Sequence, residues 1–176
     1  MRIDALNQVF STYEVLKDSM LVTGRTIDKP IKHLHDKTIF FREQEDDIRN
    51  KISFVSTELD DIMVLSLFAS FERELRVFMQ DILNLDATRT NPIIIKSIEI
   101  IVERLAIKDM VDTFIDVVNE NIRSKVIQIY EYRNWVAHGK NPDRLPSIRT
   151  DPQTVFKTLC DFISQASSVL LNNETK

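Results

Sequence analysis

ELDDIMVLSLFASFERELRVFMQDILNL, residues 58–85, holds neither glycine nor proline, and its apolar side chains recur at helical spacing rather than alternating. Leu65, Phe68, Leu75, Met79 and Ile82 mark one seam, and Val64, Leu67, Phe71, Leu75, Phe78 and Ile82 mark another beside it. A helix apolar over so wide an arc belongs at the centre of a helical protein, with neighbours on several sides. Glu72 falls on the first seam, seven residues after Leu65 and seven before Met79. Burying an unpaired carboxylate is costly, so a partner is expected for it.

The same criteria extend outward. Residues 2–23 carry Ile3, Leu6, Val9, Phe10, Tyr13, Leu16, Met20 and Leu21 at helical spacing, with Gly24 as the expected terminator. Residues 24–38, with Pro30, read as a connection that includes a short helix. His33 and His35 in it are two apart, a spacing that does not suit a metal site on one helix face, so no metal ligand set is expected. Residues 39–54 read as a partly exposed helix. Beyond the central segment, Asn91 and Pro92 mark the start of a helix running to about Ala106. Further helices are expected over 109–119, 121–137 and, after a loop from 140 to 152, through Val155, Leu159, Phe162, Ile163, Ala166, Val169 and Leu170. The fold class is therefore all-α, a single-domain bundle of about five or six helices spanning 1–176.

Composition agrees. With 176 residues, 43% of them hydrophobic, the chain can bury one sizeable core, and two glycines and five prolines are too few for a long all-β chain. A lone cysteine, Cys160, in an apolar helix reads as a packing residue. The charged N-terminus lacks the apolar run of a signal peptide, and the longest nearly apolar run, IMVLSLFA at 62–69, is far shorter than a membrane span, so a soluble, cytoplasmic protein without membrane partners is expected. The net charge of −4 speaks against wholesale attraction to nucleic acid. Residues 121–149 differ: six basic residues face two acidic ones, a local +4 that leaves −8 on the remainder. A basic island on an acidic chain is compatible with a phosphate-binding site of limited extent.

Within that island lies EYRNWVAHGKNPD, residues 131–143. Gly139 can take the left-handed conformation that closes a helix, and Pro142 prevents its resumption. Asn134 and His138, four apart, share a face. Arg133 and His138 lie about 140° apart on an ideal helix, within the reach of an arginine and a fraying last turn. The negative end of the helix favours a protonated imidazole. An arginine that stabilises a phosphorane beside a histidine that moves protons on ribose oxygens is a workable set for phosphodiester cleavage. The same residues also suit a plain C-terminal cap, with Arg133 paired to Glu131 or to a neighbouring helix. Trp135 reads as an interface anchor or a base-stacking surface, and Tyr130 and Tyr132 as packing residues.

RNWVAH, placed near the end of a late helix of an all-α bundle, resembles the Arg-x(4–6)-His signature of HEPN domains in its Arg-Asn-x-x-x-His form. FASFERELRVF is similar to the aromatic-and-glutamate helix of stand-alone HEPN proteins from prokaryotic defence and toxin–antitoxin systems. The resemblance implies a metal-independent endoribonuclease, without cofactor, that works as a homodimer on RNA and has a cognate antitoxin protein as partner. It implies a catalytic role for Arg133 and His138, an orienting role for Asn134, and an acidic partner in Glu72. Arg123, Lys140 and Arg144 are then the expected RNA contacts. Lys140 occupies the place where members controlled by a nucleotidyltransferase antitoxin carry tyrosine, which argues against that form of control here. Two other outcomes stay open: a noncatalytic HEPN module that binds a nucleotide or a protein partner, and a structural bundle with no site at all.

Overall fold

The computed structural model describes residues 3–27, 36–87 and 92–173. It is all-helical, with six helices in the order α1 (Asp4–Ile27), α2 (Glu45–Ala87), α3 (Pro92–Arg104), α4 (Ile107–Asp112), α5 (Glu120–Ala137) and α6 (Pro152–Asn173). The expected bundle of five or six helices is what forms. No helix among the described residues is long and apolar enough to cross a membrane.

The central helix is α2, whose 43 residues extend roughly 65 Å. It packs against α1, α3, α5 and α6. The spacing predicts two helices over this stretch, 39–54 and 58–85. The chain instead makes turns over 36–42, starts its helix at Glu45, Asp46 and Asp47, and continues without interruption. No glycine or proline between 45 and 87 breaks the backbone ladder, and three carboxylates in the first turn complement the helix dipole. Gly24 likewise does not end α1, which continues to the buried Ile27. Glycine mid-helix costs only about 1 kcal/mol, which neighbouring contacts can outweigh. The segment expected as a helix over 109–119 is helical only to Asp112 and then descends through turns that bury Phe114 and Val118. Asn91, His33 and His35 lie outside the described residues, as do the side chains of Val169 and Leu170.

The core lies where the second seam of α2 meets α6. Val64, Leu67, Phe68, Phe71, Leu75 and Phe78 are essentially inaccessible, as are Val155, Leu159, Phe162 and Ile163 of α6. Aromatic rings join the layers: Phe71 meets Phe162 edge-on at 5.3 Å, and Phe162 meets Phe114 at 5.5 Å. Cys160 is half-buried against the core, and burial pushes its thiol pKa up.

Two adjacent aspartates of α2 fasten its opposite sides. Asp60 accepts a hydrogen bond from Tyr13 Oη of α1 at 2.8 Å and pairs with Lys17 at 2.7 Å. Asp61, 7% exposed, accepts from Tyr132 Oη of α5 at 2.5 Å and pairs with Lys140 Nζ at 2.7 Å. Both phenols are pushed well above their ordinary pKa of 10.0, first by burial and then by donating to a carboxylate. A raised folded-state pKa means that the stabilisation is fully present below the unfolded value and is lost as pH rises, because the unfolded chain releases protons that the folded chain keeps. Urea midpoints should therefore fall steadily above about pH 10, with Tyr13 and Tyr132 gaining phenolate absorbance only as the chain unfolds. Phenolate absorbance from both residues below that pH in the folded protein would contradict this arrangement.

Candidate functional site

The site is built on the last turns of α5, where that helix runs antiparallel to α2. Asn119 caps the start of α5 by accepting from the Asn121 N–H at 2.9 Å, and its own N–H donates to Gln165 of α6 at 2.8 Å. At the other end His138 is the C-cap residue. Its N–H donates to Asn134 O at 3.0 Å, Gly139 (φ +81°) donates to Val136 O at 3.1 Å, and Lys140 (φ +57°) donates to Trp135 O at 2.9 Å. These bonds satisfy carbonyls left over by the helix, and Gly139 takes the left-handed conformation expected of it.

Arg133 is held on several sides. Its Nη1 donates to Asn134 Oδ1 at 2.7 Å, its Nη2 donates to Glu72 Oε2 at 3.3 Å, and the guanidinium lies over the rings of Phe68 and Tyr130 at 5.7 and 5.8 Å. Glu72, whose side chain is 25% exposed, also accepts from Arg76 Nη2 at 2.8 Å. Arg76 in turn donates to the carbonyls of Val102, Glu103 and Leu105 at 2.6, 3.1 and 3.2 Å, closing the end of α3. One polar chain thus runs from α3 through Arg76, Glu72 and Arg133 to Asn134. The partner that Glu72 needed on its apolar seam is a pair of arginines, one on its own helix and one on α5.

Beside that chain lies a cleft of about 420 Å³ whose walls include Asn134, Trp135, His138, Asn141, Arg144 and Leu145. His138 is exposed on it. Arg133 is not part of the lining. The structure therefore brings Asn134, His138 and Arg144 to one cavity and places Arg133 behind Asn134, on the α2 side. Arg123 is elsewhere: it starts α5, roughly 22 Å from His138 along the axis, donates to Val118 O at 3.2 Å and lies 3.7 Å from Asp112. Lys140 is drawn to α2 by Glu58 at 2.5 Å and Asp61 at 2.7 Å, and its pKa is raised by those two hydrogen bonds. Three of the six basic residues of the island are thus matched to carboxylates, and Arg144 is in no ion pair among the described residues.

Several residues around the site escaped sequence reasoning. Asp61 lies on the buried face of α2 three residues before Val64 and seven before Phe68, the same signal that singled out Glu72. Glu58 precedes it by one turn. Asn141, Leu145, Pro146 and Ser147 belong to the loop after α5 and carry no periodicity, so nothing in their spacing marked them.

Fold and site together define a class: an all-α bundle whose penultimate helix ends in a polar, capped turn over an open cleft. No family model, no curated protein and no solved structure matches the chain.

Proposed function

We propose that this chain is a metal-independent endoribonuclease of HEPN type, a toxin or defence effector that works as a homodimer and is held in check by a cognate antitoxin protein. The observation that carries the proposal is the Arg133–Asn134 hydrogen bond of 2.7 Å at the edge of the cleft that His138 lines. It ties Arg133, suited to phosphorane charge, to Asn134 on the cleft wall that His138, suited to proton transfer, also lines. The resemblance of RNWVAH to the HEPN signature supports the same assignment.

The chemistry is then as follows. The ribose 2′-oxygen attacks the adjacent phosphorus and loses its proton, the phosphorane charge is met by a guanidinium, and the 5′-oxygen leaves with a proton. The products are a 2′,3′-cyclic phosphate and a 5′-hydroxyl. His138 moves the proton, Arg133 meets the charge, Asn134 orients Arg133, and Glu72 acts as a positioning residue through Arg133. The test is a pair of oligonucleotides differing only in a 2′-deoxy sugar at the cleaved position, incubated with the protein in excess chelator. The ribose form should be cut to a cyclic phosphate and the deoxy form left intact. Equal cutting of both would exclude attack by the 2′-oxygen.

One observation favours a second reading, a noncatalytic HEPN module that binds a nucleotide or a protein partner. Arg133 is committed to Glu72 and does not line the cleft, as a purely structural arginine would be. Tight nucleotide binding by a folded dimer that cuts no RNA would establish it.

A further inference from the structure

The cleft beside His138 is divided in its chemistry. Asn134 Oδ1 is taken by Arg133, and Asn141 Oδ1 accepts the Asp143 N–H at 2.9 Å. Those bonds turn each amide oxygen toward a donor of the protein, and each NH₂ remains a donor for a ligand. Among the described residues Arg144 adds a guanidinium in no ion pair, and Glu131, the one carboxylate they place on the wall, pairs with Lys108 at 3.2 Å. That part of the cleft presents several donors, one of them a guanidinium, to an anion. The other part is apolar. Trp135 Nε1 donates to Asn141 O at 2.8 Å, and the Arg149 guanidinium lies 5.7 Å from its ring centroid, so the part of the indole that lines the cleft presents carbon beside a cation; Leu145, 69% exposed, and Pro146 line the same cleft.

A bare anion would leave the apolar wall unused, and an apolar ligand would strip water from the donors without replacing it. A molecule with an anionic end and a flat aromatic end satisfies both parts. We propose that the cleft seats one unpaired nucleotide of the RNA, its phosphate on Arg144 and His138 and its base against Trp135 and Leu145. The volume of about 420 Å³ suits a single nucleotide and not a duplex, and stacking on an indole needs a base free of its partner. The inference rests on the ribonuclease reading for placing RNA here, but the binding it describes does not require cleavage.

The chain has one tryptophan, so intrinsic fluorescence reports this cleft directly. Titration of the intact protein with uridine 3′-monophosphate should give a saturable change in Trp135 emission that neither uridine nor inorganic phosphate produces at the same concentrations. Arg144→Ala should weaken that binding about tenfold, as loss of a charge-assisted hydrogen bond does. Leu145→Asp should weaken it comparably, and since both side chains are exposed, circular dichroism should show both variants folded. An equal response to inorganic phosphate, or affinity unchanged in both variants, would overturn the inference. Saturable nucleotide binding without RNA cleavage would leave it standing and remove the ribonuclease reading. His138-dependent cleavage with no nucleotide response at Trp135 would do the reverse.

Discussion

Replacing Phe71 with alanine should lower folding stability by roughly 3–5 kcal/mol, among the largest effects available to a single substitution in this chain. The ring is fully buried, lies 5.7 Å from Phe68 on its own helix, and stands edge-on to Phe162 of α6 at 5.3 Å. Its neighbours are themselves stiff aromatics held from further sides, so the cavity left by truncation cannot collapse well. The cost then includes lost contacts as well as lost burial. For a chain of this length each kcal/mol is worth roughly 2–4 °C, so thermal unfolding should shift by about 6–20 °C. Val77→Ala, on the exposed side of α2, should change stability by no more than about 0.5 kcal/mol. A Phe71→Ala loss below about 1 kcal/mol would mean that the α2–α6 seam is not the centre of the core.

That seam was legible because burial of α2 repeats with the helical period. Val64, Leu67, Phe71, Leu75 and Phe78 are spaced at three and four, and all five are buried. The fusion of 45–57 with 58–87 into one helix was not legible. Phe54 and Val55 are exposed, and apolar residues at exposed positions blur the pattern that separates one helix from two. At the site, the left-handed Gly139 and the need of Glu72 for a partner followed from steric and electrostatic rules that act locally. Arg76 stands at the i,i+4 spacing of a helical ion pair with Glu72, whereas the second arginine, Arg133, depended on how α5 docks on α2, information that no local spacing contains. The same holds for Lys140. Its charge counted toward a basic island in the sequence, and the fold directs it to Glu58 and Asp61.

Removing the imidazole should separate activity from stability. His138 is exposed at a helix end, so His138→Ala should leave the unfolding midpoint almost unchanged, within about 0.5 kcal/mol. RNA cleavage should nevertheless fall by roughly 10²–10⁴-fold, the range for loss of a general acid–base group. Arg133→Ala should reduce cleavage by about 10²–10³-fold and also cost stability, because it removes the contacts to Phe68 and Tyr130 and leaves Glu72 with Arg76 alone.

The most direct measurement is single-turnover cleavage of single-stranded RNA by wild type and His138→Ala in excess chelator, with the ends of the products identified. The account predicts chelator-resistant cutting to a 2′,3′-cyclic phosphate by wild type and its loss in a variant that unfolds at the same temperature. Cleavage at the wild-type rate by His138→Ala, or no cleavage by a folded wild-type dimer, would contradict it.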